Sequence, residues 1–380
     1  MAIGIVAEFN PFHNGHKYLL QTAKALSGES VVVVMSGAFV QRGSIAVTDK
    51  LTRAKAALLN GADLVIELPV TFSHNTAQKF ASGAIATLNA TGVIDTLAFG
   101  SECGSTKALC DAAELLSNEP AQVSKKIKEM MNCGISYPAA RSNAYKEHIK
   151  SSVLDTPNDI LAVEYIRAIY ELNAKIKPIA ITRTGVGHDS NAVSENIASA
   201  SELRRKIKSN EACDAFMPYT DFDVYDESLI DTAVISKLRL MSADELKEIN
   251  EVSEGLENKF IAEAMNVSTV SELLTAVKSK RYTLSRIRRI VYSSLLNLTK
   301  DVCNLPPSYI RILGMNENGK ALLKEMKKTS RLPVIIKPSD YDGDTIFNLN
   351  SRAEDIFSLC SPRKGNRIGN SDLRMTPIVI

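Results

Sequence analysis

Two histidines, His13 and His16, flank Asn14-Gly15 directly after the apolar run Ile3–Phe9 and directly before an amphipathic stretch. A helix that starts where a strand ends offers unpaired N–H groups and the positive end of its dipole, and both suit a phosphate. Gly15 lets a phosphate approach the backbone where a larger residue would block it. His13 and His16 then supply hydrogen bonds to phosphate oxygens as charge builds during transfer at an α-phosphorus. Such chemistry runs on positioning and charge stabilisation and needs no covalent nucleophile. Two nearby histidines alone mean little. Their place between strand and helix, holding two of the five histidines in the chain, gives them weight.

The elements that must position this stretch are legible around it. Continuous β-branched runs predict strands at Ile3–Phe9, Val31–Ser36, Leu64–Leu68, Thr96–Ser101 and Pro178–Thr182, each covered on both faces. Helices are predicted between them at His16–Ala25, Lys50–Asn60, Ala77–Thr91 and Asn158–Leu172. The alternation implies an α/β fold with a doubly wound parallel sheet and ligands beyond the carboxyl ends of the strands. After about Ala212 strands almost vanish. Helices are predicted at Asp226–Leu240, Ala243–Ala264, Val270–Lys278 and Ser285–Leu298. A mixed tail follows, with a strand at Val334–Lys337 and helices at Gly319–Lys327 and Ser351–Leu359. The division is thus residues 1–210, a catalytic sheet domain, and residues 211–380, a mostly α-helical domain.

The 380 residues exceed one ordinary core, and 45% apolar with 23% charged residues is the mix of a globular protein. Apolar runs are strand-sized, too short to span a membrane, and the N-terminus reads as a first strand and not a leader, so a cytoplasmic protein is expected. The six cysteines (Cys103, Cys110, Cys133, Cys213, Cys303, Cys360) lack paired spacing and read as buried reduced thiols, with no protein metal site. A net charge of +2 announces no nucleic-acid partner, so any such surface must be local. The densest basic run is Lys278-Ser279-Lys280-Arg281-Tyr282 with Arg286, Arg288 and Arg289. An aromatic among arginines suits RNA phosphate and base contact, although a solvated helix face has the same composition.

His13-Asn14-Gly15-His16 after a first strand resembles the H-x-G-H motif of the nucleotidyltransferase superfamily. Ala198-Ser199-Ala200-Ser201-Glu202-Leu203-Arg204 resembles that superfamily's second motif, I-S-S-T-x-x-R, with alanine at its first and third positions. Ser199 and Ser201 are placed to cap a helix and contact phosphate, and Arg204 to hold the β and γ phosphates. Longer blocks are more specific. Gly4–His16, Ser36–Gly43, Gly61–Pro69, Phe99–Glu102, Pro157–Tyr165 and Arg281–Arg289 resemble the bacterial tRNA(Met) cytidine acetate ligase family.

That resemblance implies a nucleotidyltransferase-like Rossmann domain and ATP as substrate; ATP chemistry in turn calls for Mg2+, for which the sequence shows no dedicated protein ligand set. It implies attack of acetate on the α-phosphate to give acetyl-adenylate, and transfer of the acetyl group to the wobble cytidine of elongator tRNA(Met). It also implies ATP contacts along Ala7, Glu8, Phe9, Asn10, Pro11, Phe12, His13, Asn14, Gly15, His16, Lys17, Tyr18, Leu19 and Leu20, and at Gly100, Asn158 and Arg183. Gly100 equally fits a turn, and Asn158 a helix cap. With the resemblance, Lys280, Arg281, Arg286, Arg288 and Arg289 become the expected tRNA contacts. Gln41 and Arg42 project over the same strand edge as candidate ligands of tRNA, acetate or phosphate. Asp49 suits a helix cap, while Lys50 and Arg53 fit either the site or a solvated face. His188-Asp189 and His74 sit near strand ends, and His148 reads as surface. A small-molecule adenylyltransferase and a non-catalytic ATP- or RNA-binding module are the competing classes. The sequence leaves the oligomeric state open.

Overall fold

The computed structural model describes residues 1–146, 148–149, 153–183 and 197–380. One sheet organises them. Strands β1 (Ala2–Ala7), β2 (Ser30–Ser36), β3 (Leu64–Leu68), β4 (Ile94–Ser101) and β5 (Lys177–Thr182) run parallel in the order β5-β4-β1-β2-β3. Burial on both faces explains their continuous apolar sequences. Ala2 and Val6 point into one core with Val32, Val34 and Ile66, while Ile3 and Ile5 point into the opposite one with Val31, Val33 and Val65. The helices Asn14–Ser27, Lys50–Leu59, Ala77–Thr91 and Pro157–Glu171 make the crossovers.

The end of the chain crosses back over the expected division at residue 210 to join the sheet. β6 (Ile310–Met315) returns to the sheet antiparallel to β3, pairing Leu64 with Met315 and Glu67 with Arg311. β7 (Val334–Ile335) and β8 (Ile378–Val379) then both pair with β6. The sheet therefore draws residues from both sides of 210. The strand expected over Val334–Lys337 keeps only its first two residues, and the helix expected at Ser351–Leu359 starts earlier, as Thr345–Ser358 capped by Asp344.

Between Asp231 and Leu296 the chain is helical, as Asp231–Leu240, Ala243–Glu248, Leu256–Ala264, Val270–Val277 and Leu284–Leu296. The single helix expected over Ala243–Ala264 is broken. Glu251, Glu254 and Gly255 adopt left-handed φ, which interrupts the helical path, and buried Ile249 makes a bridge to Thr299 instead. Val234, Leu238, Phe260, Leu273, Ile287 and Ile290 form this bundle's core. Ala38, Phe39, Val40 and Ile45, from the segment after β2, join the same core. The segment that follows a sheet strand is therefore held by the helical bundle.

Lys50 and Arg53 are fully buried, which removes the solvated-face reading. The Lys50 ammonium bonds Glu67 at 2.8 Å and Asp372 at 2.6 Å, with Glu354 at 3.3 Å. Arg311 completes the cluster on Asp372 at 3.2 Å. Burial pushes the Glu354 carboxyl up to about 7 despite Lys50. This ionic knot ties β3 to the C-terminal helices. All six cysteines are unpaired; Cys213, Cys303 and Cys360 are buried, but Cys103 and Cys133 are exposed, against expectation. No helix among the described residues is long and apolar enough to cross a membrane.

Candidate active site

The site is built at the carboxyl end of β1. Past Ala7 the chain turns sharply, with Phe9 in the left-handed region at φ 48° and a cis bond between Asn10 and Pro11. The Phe9 ring packs edge-on against Phe12 and His16, each at 4.9 Å between centroids. Asn10 is buried, and its Oδ1 accepts the Val47 N–H at 2.8 Å. Phe9, Phe12 and Leu20 face the core, so within the expected ATP loop they buttress the site from below, whereas Tyr18 is exposed.

His13 is the N-cap of the helix Asn14–Ser27. Its Nδ1 accepts the Gly15 N–H at 3.1 Å, and its own N–H donates to Nδ1 of His16 at 3.3 Å. This is a capping box with imidazoles in place of the usual hydroxyl and carboxylate. The two rings stack at 3.7 Å, 20° from parallel. An Nδ1 that accepts a hydrogen bond places the proton of a neutral imidazole on Nε2, so each ring presents an Nε2–H donor. The neutral form is enforced. Burial, then Arg183 and Arg204, lower the His13 pKa to about 3; burial, His13 and Arg183 hold His16 well below its usual value. A Cβ on Gly15 would come 2.9 Å from the His13 ring, so glycine is required here for the cap itself.

Arg204 approaches from the helix Ala200–Lys208 and donates to the Asn10 carbonyl at 2.7 Å. Burial lowers its pKa, Glu8 opposes that, and Arg42 and Arg288 add to the lowering. Ser199 caps that helix by accepting the Glu202 N–H at 3.2 Å, with the exposed Ser201 hydroxyl 3.5 Å from its own. Asn14 reaches the carbonyl of Ala215 at 3.0 Å, closing this segment over the loop.

Gly100 and Asn158 are brought to the same edge by a reciprocal lock. Asp159 accepts from the Ser101 hydroxyl at 2.5 Å and from the Glu102 and Cys103 N–H groups at 3.0 Å. Glu102 accepts in return from the Asn158 side chain and from the Asp159 N–H. Exposed Arg183 follows β5, donates its N–H to the Ser101 carbonyl at 3.0 Å, and runs beside Gly100. His188 and Asp189 lie outside the described residues.

Two residues placed near the site by the sequence act there through main-chain contacts that it does not show. Buried Arg53 donates to the carbonyls of Glu8, Ser36, Gly37 and Thr48, at 2.8, 2.9, 2.6 and 3.1 Å, clamping the ends of β1 and β2. Burial draws its pKa down to about 10. Its partners are main-chain groups, which leave no pattern in the sequence; the Asp49 N-cap before it was the only local signal. Gln41 is the second. Its N–H donates to Glu8 Oε1 at 2.8 Å, and its carbonyl accepts from Arg289 at 2.9 Å. His74 is a core residue, fully buried and 3.2 Å from the Arg289 carbonyl, while His148 is exposed.

The expected tRNA cations divide. Arg289 is buried in an ion pair with Glu251, Arg286 donates to the Glu251 carbonyl at 2.8 Å and to Ser253 at 2.7 Å, and Arg281 pairs with Glu254 at 2.9 Å. The side chains of Lys280 and Arg288 have no hydrogen-bond or ion-pair partner among the described residues. The arginines that seemed one patch therefore include a structural member, Arg289.

A family model described as HIGH Nucleotidyl Transferase matches residues 1–372, across the sheet and the helical bundle alike. A tRNA(Met) cytidine acetate ligase of Clostridium perfringens is 38% identical over 99% of this chain and 98% of its own length. The chain belongs to the tRNA(Met) cytidine acetate ligase family. A second member, from Thermoanaerobacter sp., is 40% identical over 94% of both chains. The crystal structure of Thermotoga maritima TmcAL bound with alpha-thio ATP superposes with a TM-score of 0.90 at 32% identity, covering 100% of this chain and 99% of that one. A family member so matched carries the nucleotidyltransferase fold, and the histidine pair at the end of β1 falls within the matched residues.

Proposed function

We propose that this protein joins acetate to the exocyclic amine of the wobble cytidine of elongator tRNA(Met), using ATP and passing through acetyl-adenylate. The observation that carries the reading is the stacked pair His13 and His16, both neutral and both presenting Nε2–H at a helix N-terminus. Acetate attacks the α-phosphorus and pyrophosphate leaves; charge grows on phosphate oxygens, where fixed donors act without reorganising. Arg204, beside the same loop, suits the departing phosphates. The ligase names of near-full-length relatives, and the ATP analogue named with the Thermotoga maritima structure, support this assignment. In this reading ATP lies along Ala7–Leu20 with Gly100, Asn158, Arg183, Ser199 and Ser201 around it, and Mg2+ arrives with the nucleotide on its phosphates.

The helical bundle is the proposed RNA-facing part, through Lys280, Arg288 and the exposed faces of Arg281 and Arg286. A cytosolic setting fits this substrate. The test is incubation with ATP, labelled acetate and tRNA, then digestion of the RNA to nucleosides. Labelled acetylcytidine is the expected product. Pyrophosphate release with no label in RNA would indicate a small-molecule adenylyltransferase instead, and no ATP turnover a binding module.

A further inference from the structure

Both histidines at the centre have their Nδ1 lone pair occupied by a backbone N–H, so neither has a basic nitrogen to offer. Acetyl transfer nevertheless needs a proton acceptor. When the cytidine amine attacks the acetyl carbon, the N–C bond forms, the C–O bond to the adenylate phosphate breaks, and AMP leaves with that electron pair. The nitrogen must then shed one proton. Among the described residues, most carboxylates near this edge are engaged: Asp159 accepts four hydrogen bonds, Asp49 caps its helix, Glu67 holds Lys50, Glu102 holds Asn158, and Glu227 pairs with Lys208 at 2.8 Å.

Glu8 is different. It is half-buried, one residue past β1 and two before Asn10, whose carbonyl binds Arg204. Its Oε1 accepts the Gln41 N–H, and no described residue bonds its Oε2. The loop that holds it is itself fixed. The Gln41 carbonyl is bonded by Arg289, which is anchored by Glu251, so the helical bundle sets where Glu8 points. On the acetate-ligase reading above, we infer that Glu8 Oε2 is the base that takes the proton from the attacking cytidine amine, with Gln41 and Arg289 as its positioning residues. The protonated carboxyl then returns its proton to solvent after AMP departs.

The test separates the two half-reactions in Glu8→Gln. Hydroxylamine captures acetyl-adenylate as acetohydroxamate and, being a strong nucleophile, needs no enzymic base. A general base contributes about 100-fold or more, so acetylation of tRNA at saturating RNA is expected to fall about 100-fold while hydroxamate formation falls less than about ten-fold. Glu8→Asp should recover part of the RNA reaction, since it restores a carboxylate. Equal losses in both assays would overturn the inference, leaving Glu8 as an ATP or acetate contact with no separate part in the transfer step. So would a loss confined to the KM for RNA, or full transfer activity in Glu8→Gln. Wild-type protein that formed hydroxamate but left tRNA unmodified would instead refute the acceptor assigned under the proposed function, and the two failures are distinguishable.

Discussion

The imidazole of His13 lies 3.7 Å from that of His16, and each accepts a main-chain N–H at Nδ1. Two stacked rings this close cannot both be cations without strong repulsion, and burial already disfavours one charge. Both rings are therefore expected to be neutral with the proton on Nε2 in the free protein. Histidine nitrogen NMR at about pH 5, below the usual histidine range, checks this; imidazolium signals from either ring would refute it. Replacing His16 by Ala should lower acetate-dependent ATP–pyrophosphate exchange by about 100-fold, the scale of a lost transition-state donor.

The same shifts have a consequence for stability. His13 and buried His74 titrate near 3, and His16 is also held low. Between their ordinary value of 6.5 and those native values the unfolded chain binds protons that the folded chain refuses. Stability must therefore fall as pH drops below 6.5, by up to about 1.4 kcal/mol per pH unit for each histidine. Denaturant midpoints measured from about pH 7 down to about pH 5 should decline, and His74→Gln should make the decline shallower. An unchanged slope in that variant would contradict the buried neutral state.

Gly15→Ala puts a methyl group 2.9 Å from His13 Cε1. The ring cannot swing aside freely because His16 stacks on it. Displacement of His13 by a fraction of an ångström is expected to lower exchange about 100-fold while leaving the thermal midpoint nearly unchanged, since the position lies at a helix start over the site. Wild-type exchange would show that the cap tolerates the methyl group.

Much of this was legible in the chain. β3 and the helix Ala77–Thr91 fall on their expected bounds because each is a continuous pattern between clear breaks, Asp63 and Pro69 for the one, Thr76 and Gly92 for the other. β6 was not, because Arg311 interrupts its apolar run; only the distant carboxylate of Asp372 makes that arginine a core residue. For the same reason the sequence leaves Lys50 open between the site and a solvated face, and places Arg289 on the RNA surface. Charge alone reads as solvent-facing, and whether it is buried depends on partners up to 322 positions away in sequence. The histidine motif was readable from local order alone, whereas the role of Gln41 rests on main-chain atoms that any residue except proline supplies.

Arg288 and Arg289 are neighbours in sequence with opposite expected phenotypes. Arg288→Ala should weaken tRNA binding and flatten its salt dependence by about one counterion, with little effect on folding. Arg289→Ala leaves the largely buried Glu251 without its partner and is expected to destabilise the protein by about 3 kcal/mol. Binding measured against salt concentration and thermal melts of both variants distinguish them. A salt-slope change from Arg289→Ala in a protein of normal stability would restore it to the RNA surface.

Lys50→Met tests how the chain's end is fastened. The ammonium satisfies Glu67, Asp372 and Glu354 together, and Arg311 is the other cation paired directly with Asp372. Methionine matches the side chain's length but leaves three carboxyl groups crowded in the core. Glu354, already pushed up to about 7 by burial, can take a proton; Glu67 and Asp372 cannot both rely on Arg311. A loss of about 3–5 kcal/mol is expected, read as a lower denaturant midpoint. Pairing it with Glu67→Gln should recover part of that loss, because one buried charge leaves with the other. If the double variant were less stable than Lys50→Met by the full effect of Glu67→Gln alone, the two residues would be energetically independent, and the knot between β3 and the C-terminal helices would not be what holds β6 on the sheet.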